Sequence, residues 1–196
     1  ISSGAAITFS SITDTLTATG DLAWTTAANI LSTLSGNSRH FVFYAKATEV
    51  ATGTVTVTVT ETPGRWNMHC YVVTGQDLTT PVVAAQTTTA VNGTATTLTL
   101  TLPSTPTSTS MVFGSVFSHA DDGVTPGANF TELYDDIGTS ISRLEDQYDV
   151  VSATTTCDWS ALGTTANSGI AIEIAEAAGG QSVIPVLMRQ YRERWN

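Results

Sequence analysis

Thr54-Val55-Thr56-Val57-Thr58-Val59-Thr60 alternates without a break. In an extended chain successive side chains point to opposite faces, so the three valines share one side and the threonines the other. A helix would scatter the same residues around its circumference. Thr96 to Leu102 repeats the device, with Leu98, Leu100 and Leu102 on one face. These two runs predict strands with one dry and one wet face.

Other runs are more continuously apolar. Phe41-Val42-Phe43-Tyr44-Ala45-Lys46 and Met68-His69-Cys70-Tyr71-Val72-Val73 read as central strands, covered on both faces. Met111 to Phe117, Ser140 to Val150 and Ile170 to Ile174 complete the set. Turn signals separate the runs, among them Ser35-Gly36-Asn37, Thr74-Gly75-Gln76-Asp77, Asn92-Gly93 and Pro126-Gly127. Many short strands between such turns predict an all-β, antiparallel β-sandwich or barrel. Helical periodicity is nearly absent. A single short helical turn is expected within Ala27 to Leu34.

Composition agrees. Threonine, valine and alanine are frequent, 41% of residues are hydrophobic and only 12% are charged. β-Branched residues suit a pleated, half-buried surface, and the hydrophobic content is too high for a disordered chain. With 196 residues the chain can bury a sizeable core without covalent staples. The net charge of −10 repels phosphate backbones and argues against nucleic acid as a main partner. No apolar run approaches the length of a membrane-spanning helix. Cys70 and Cys157 both fall in strand-like runs and read as small buried hydrophobes, with a single bridge between them left open.

The end of the chain differs from the rest. Ala177-Ala178-Gly179-Gly180 is a joint by composition, and it divides a sandwich domain over 1–178 from a C-terminal extension over 179–196. The extension is apolar and basic. It holds Val183, Ile184, Val186, Leu187, Tyr191 and Trp195, and Arg189, Arg192 and Arg194 are three of the seven basic residues of the whole chain. Such an arm on an acidic body is expected either to fold back on its own domain or to dock on a neighbour. The intermolecular role is favoured, as an assembly arm in a homo-oligomer, with a trimer among the options. Each fully buried apolar side chain would contribute about 1.5–3 kcal/mol, and the arginines would pair with a neighbour's carboxylates.

The central portion, about 40–176, resembles a family of lectin-like jelly-roll β-sandwich domains in bacteriophage and marine metagenomic virion proteins. The residues that carry the resemblance are Phe43 to Thr48, Gly53 to Thr58 and the stretch Tyr71-Val72-Val73-Thr74-Gly75-Gln76-Asp77-Leu78-Thr79-Thr80-Pro81-Val82, in which a strand ends in a Gly-x-Asp turn before a Thr-x-Pro-Val segment. Met111 to Val116 and Ile170 to Ile174 are similar to the family's late strands. The resemblance implies a virion location and a capsid decoration (cement) protein that reinforces the head through non-covalent contacts with neighbouring virion subunits, the major capsid protein or tail components. The alternatives are a tail or fibre component and a carbohydrate-binding module for a surface glycan. The matching residues are core and turn positions, so no site residue carries over.

Chemistry-bearing motifs are sparse. His40, His69 and His119 have no metal-ligand spacing, and no nucleophile elbow, Walker loop or dinucleotide fingerprint occurs. His69 reads as a satisfied structural histidine. The chain is therefore expected not to be an enzyme, with no catalytic residue, metal or cofactor assigned. Asp121, Asp122, Glu132, Asp135, Asp136, Glu145, Asp146 and Asp149 crowd one region. The plain expectation for them is solvated loop and edge-strand charge. Calcium ligation and a glycosidase pair such as Asp136 and Glu145 are the chemical alternatives. Trp24, Trp66, Tyr134 and Trp159 are candidates for stacking on sugar, and Trp66, at the start of a strand, is the one chosen as a glycan contact.

Overall fold

The computed structural model describes residues 7–16, 22–32, 38–47, 53–61, 66–93, 95–119, 123–137, 143–150, 154–164, 166–178 and 184–187. The side chains of Ala85, Asn92, Ile137 and 184–187 are not part of that description. The described residues form an all-β protein of antiparallel sheets.

A five-stranded sheet lies at the centre. It joins β6 (Val82–Asn92), β8 (Met111–Ser118), β10 (Thr131–Ile137), β11 (Arg143–Asp149) and β13 (Asn167–Ile174) in the order β10-β11-β8-β13-β6. A second sheet, β7 (Leu98–Thr101), β12 (Thr156–Ser160) and β9 (Thr125–Pro126), has the order β7-β12-β9. Three ribbons complete the fold: β1 (Phe9–Asp14) with β4 (Val55–Val59), β2 (Thr25–Ser32) with β3 (Ser38–Tyr44), and β5 (Tyr71–Thr74) with β14 (Ile184–Leu187).

Both faces of the central sheet are covered. On one, Val112, Val116 and Ala171 pack with Leu98, Leu100, Cys157, Trp159 and Leu162 of the β7-β12-β9 side. On the other, Met111, Ile170, Ile172 and Ile174 pack with Ala28, Ile30 and Val42 of the β2–β3 ribbon and with Val73 of β5. This explains why every residue of β13, Asn167 to Ile174, is buried. A strand covered on one face would alternate.

Trp159 occupies the middle of the first interface and is 1% exposed. Its ring rests on glycines. A Cβ at Gly114 would meet the Trp159 ring at 2.8 Å and collide with the Cys157 sulfur, while one at Gly169 would meet the ends of Leu98 and Leu100 first. The register sets Gly114 opposite Ala171 and Gly169 opposite Val116. The small residues of β8 and β13 thus make a floor on which the indole sits. Close packing of this kind responds to a single added methyl group.

The Thr54–Thr60 alternation is present as predicted: β4 has half-buried valines and exposed threonines. It sits in a peripheral ribbon. Phe9 of β1 leans on Phe41 and Phe43 of β3, with ring centroids 6.2 and 4.7 Å away, so the β1–β4 ribbon covers the outer side of β3. Two continuously apolar runs are likewise not central. Phe41–Tyr44 belongs to the β2–β3 ribbon and Tyr71–Val73 to the β5–β14 ribbon. Phe41–Tyr44 is covered on one face by the central sheet's cluster, through Val42, and on the other by Phe9 of β1, while Tyr71–Val73 is half-buried, with Tyr71 and Val73 turned toward the central sheet. The helical turn expected within Ala27 to Leu34 is replaced, over the described residues, by β2, because Ala28 and Ile30 are needed against the central sheet. Cys70 and Cys157 are both free thiols, the second fully buried.

The C-terminal extension contributes a strand to its own chain. Ile184, Pro185, Val186 and Leu187 pair antiparallel with Thr74, Val73, Val72 and Tyr71, across the boundary drawn at residue 178. Val183, Arg189, Tyr191, Arg192, Arg194 and Trp195 lie outside the described residues.

The Gly114 floor makes a directional prediction. Gly114→Ala should destabilise the fold by about 2–3 kcal/mol, because the added methyl meets an immobile indole and a buried sulfur. Gly169→Ala should cost less, because the ends of two leucines can rotate away. Urea unfolding midpoints of the two variants measure the difference, and equal midpoints would contradict the rigid-floor account.

Candidate functional site

Strand β11 carries Arg-Leu-Glu-Asp-Gln-Tyr-Asp, a run that reads as a solvated edge. It is an inner strand, hydrogen-bonded to β10 on one side and β8 on the other. Glu145, Asp146, Gln147 and Asp149 are all buried. The expectation of solvated loop and edge-strand charge is therefore corrected for these residues. Glu132 is exposed and Asp135 half-buried, while Asp121 and Asp122 lie outside the described residues. Period two sends Glu145 and Gln147 to the Trp159 face and Asp146 to the opposite face.

On the Trp159 face Glu145 and Gln147 tie the two sheets together. The Trp159 indole N–H donates to Glu145 Oε2. Gln147 donates from Nε2 to the Asp158 carbonyl at 3.0 Å and to the Cys157 sulfur at 3.2 Å, and it accepts from the Gly127 N–H at 2.9 Å. Arg143 Nε donates to Asp135 Oδ1, whose other oxygen accepts from the Val124 N–H at 3.2 Å. Burial, reinforced by the neighbouring Asp146 charge, pushes the Glu145 carboxyl up to about 9, so it is neutral at pH 7. Its Oε1 has no partner among the described residues. The expected alternative, a glycosidase pair of Asp136 and Glu145, is not assembled: Asp136 sits opposite Leu144, and the carboxylate opposite Glu145 is Asp135.

On the other face Asp146 gathers two donors. His69 Nδ1–H donates to Asp146 Oδ2, and the Tyr71 hydroxyl donates to the same oxygen at 2.8 Å. The His69 ring stands edge-on to Tyr134, with centroids 4.9 Å apart. Burial, together with the Asp146 charge, raises the Tyr71 hydroxyl far above the ordinary tyrosine range, so it stays protonated as a donor. His69 Nε2 is buried without a partner among the described residues. His69 is thus structural through one nitrogen only.

On the same face, where Ser115 of β8 stands opposite Asp146, His40 bridges layers. Its Nδ1 lies 3.1 Å from the Ser168 carbonyl, which can only accept, so Nδ1 carries the proton. Nε2 then accepts from the Ser115 hydroxyl at 2.9 Å. Burial pulls the imidazole down to about 4. A hydroxyl hydrogen-bonded to an imidazole is the first half of a nucleophilic site, but Ser115 and His40 are 3% and 5% exposed under the β2–β3 ribbon, and an imidazole of that acidity is a poor base at neutral pH. This pair fastens β3 to β8 and β13.

The sequence candidates for sugar stacking separate. Trp159 is core. Trp24 donates its N–H to Asp14 Oδ2 at 2.7 Å, and Asp14 also accepts from the Leu16 and Leu22 N–H groups. Tyr134 faces His69. Trp66 is 41% exposed and stands beside exposed Met68 on the outer side of the segment that leads into β5. Among the described residues no group of three or more histidine, cysteine or carboxylate side chains could hold a metal ion. Comparison with family models, curated proteins and solved structures finds no match to this chain in any of the three.

The two shifted groups set a pH profile. Folded Glu145 holds its proton from its ordinary 4.5 up to about 9, a range in which the unfolded chain has released it, so its contribution falls as pH rises through that window. Folded His40 resists protonation between its ordinary 6.5 and about 4, so its contribution falls as pH drops through that window. The two slopes oppose each other between 4.5 and 6.5, and only the Glu145 decline acts above 6.5. Thermal unfolding should therefore show a plateau at mildly acidic pH and a loss toward pH 9. Glu145→Gln, which keeps an acceptor for Trp159, should flatten the alkaline limb and raise the midpoint at pH 9 by more than about 5 °C relative to the parent. Parallel pH profiles for both proteins would refute the assignment.

Proposed function

We propose that this chain is a structural component of a virion, in first place a capsid decoration protein built on a jelly-roll-type sandwich, which reinforces its particle by non-covalent contact. The observation that carries the proposal is the β5–β14 ribbon. The C-terminal strand β14 is held by main-chain pairing to β5, whose leading segment carries exposed Trp66 and Met68. The basic residues Arg189, Arg192 and Arg194 follow directly in sequence, while the chain as a whole carries −10. Charge complementarity between a cationic end and acidic neighbouring copies or shell subunits favours a specific register over random adhesion. The buried polar side chains support the same role from the other direction: Glu145, Gln147, Asp146 and His40 are engaged in tying layers together, as suits a rigid body.

A second function, recognition of a surface glycan, is favoured by one feature. Trp66 is exposed, and an exposed indole offers the flat apolar face on which sugar rings stack.

A chain ending at Leu187 keeps β14 and should unfold within about 2 °C of the full chain. It should lose co-sedimentation with undecorated shells and any self-association seen by sedimentation velocity. Retention of both would remove the assembly role. Trp66→Ala should leave shell binding by the full chain intact if the indole serves a glycan, and a glycan array then reports the binding that the substitution abolishes. An array silent for both proteins would remove the glycan reading.

A further inference from the structure

Residues 66–74 lie along the outside of the central sheet as one extended segment. Asn67, His69, Tyr71 and Val73 face inward, and Trp66 and Met68 face outward. Among the described residues this segment has no ladder to any strand of the central sheet, and β5 pairs only with β14. Its two ends are held differently. At the C-terminal end the main chain is bound: the Asp77 N–H donates to the Ala175 carbonyl at 2.8 Å, the Ala177 N–H donates to the Gly75 carbonyl at 2.8 Å, and Gln76 bridges Glu176. Gly75 sits there with φ of 84°, in the left-handed region that glycine adopts without strain. At the N-terminal end the polar contacts among the described residues are made by side chains. Two of the three converge on a single oxygen, Asp146 Oδ2, through His69 and Tyr71; the third is the Asn67 amide on the Asp136 carbonyl at 3.3 Å.

We propose that residues 66–74 form a strap, hinged at Gly75 and latched by Asp146, and that the latch sets the position of β14 and of the Trp66–Met68 face that travels with it. The inference stands on described contacts and does not depend on the virion assignment. Unlatching moves a ribbon whose attachment to the body is made by side chains at one end, whereas opening the central sheet breaks continuous ladders on both edges of β8 and β13. The strap therefore opens at lower free energy than the core. Asp146 acts on β14 through His69 and Tyr71, so it is a positioning residue for the C-terminal strand. Val73, packed with the central sheet's apolar cluster, lies next to the hinge and stays seated during a limited opening.

Hydrogen exchange followed by mass spectrometry on the full chain tests this. Asp146→Asn keeps the volume but removes the charge from the doubly used oxygen. An unlatched two-stranded ribbon, no longer backed by the sheet, frays, so peptides covering 66–74 and 184–187 should exchange at least about ten-fold faster than in the parent, while peptides of β8 and β13 keep their rates. Tyr71→Phe deletes one of the two latch bonds with little change in volume. It should produce a smaller local acceleration, about three-fold, in the same peptides, and it decides the question if Asp146→Asn does not fold. Unchanged exchange over 66–74 and 184–187 in a folded variant overturns the latch. Acceleration spread evenly over the strap, β8 and β13 also overturns it, because Asp146 would then stabilise the whole fold and not the strap.

Discussion

The three inner strands of the central sheet, β11, β8 and β13, have no wet face, and that constraint governs the rest of the molecule. A strand covered on both sides has nowhere to point a polar side chain except into protein, and a polar group buried without a partner costs on the order of 1–3 kcal/mol. β11 brings Glu145, Asp146, Gln147 and Asp149 into this setting. Each layer that packs on the sheet must therefore supply hydrogen-bond partners as well as apolar surface. Trp159, the Asp158 carbonyl and the Gly127 N–H do so from one side, and His69 and Tyr71 from the other.

Adjacent carboxyls on β11 meet the constraint in opposite ways. Glu145 faces the apolar Trp159 interface, receives one donor, and is neutralised by burial. Asp146 faces a polar group of two hydroxyl-bearing or imidazole side chains and collects two donors on one oxygen. The alternation of the strand points them to opposite faces, so each collects its own hydrogen-bond donors, although the Asp146 charge still helps keep Glu145 protonated. Specificity of layer packing follows. A sheet slipped by one residue would present Asp146 to the indole and Glu145 to His69, with neither set of bonds formed.

Apolar packing and these ties have different jobs. The small-residue floor of Gly114, Gly169 and Ala171 lets the Trp159 ring come close enough for dense contact, which supplies most of the burial. The polar ties fix which neighbour packs where. His40 illustrates the division: its ring sits in a largely dry interface, yet its two nitrogens choose the Ser115 hydroxyl and the Ser168 carbonyl, and so set β3 across β8 and β13.

Local alternation and apolar runs were enough to establish the all-β class and seven of the fourteen described strands, β3, β4, β5, β7, β8, β11 and β13. Thr54–Thr60 and Leu98–Leu102 fall on strands because period two is a property of the extended backbone itself, and the apolar runs Met111–Phe117 and Ile170–Ile174 fall on strands buried on both faces. Both cysteines are free thiols, Cys157 buried as expected and Cys70 half-buried. Which strands are central was decided only by the assembled layers. Phe41–Tyr44 and Tyr71–Val73 look like interior strands but form ribbons, and the charged run of β11 looks like an edge but lies inside. The physical reason is that hydrophobicity records whether a residue is covered, not by what, and a carboxyl can be covered when a distant indole, imidazole or phenol arrives to hydrogen-bond it. Those partners stand 14, 77 and 75 positions away along the chain from the carboxyls they meet, and no local pattern encodes such a meeting.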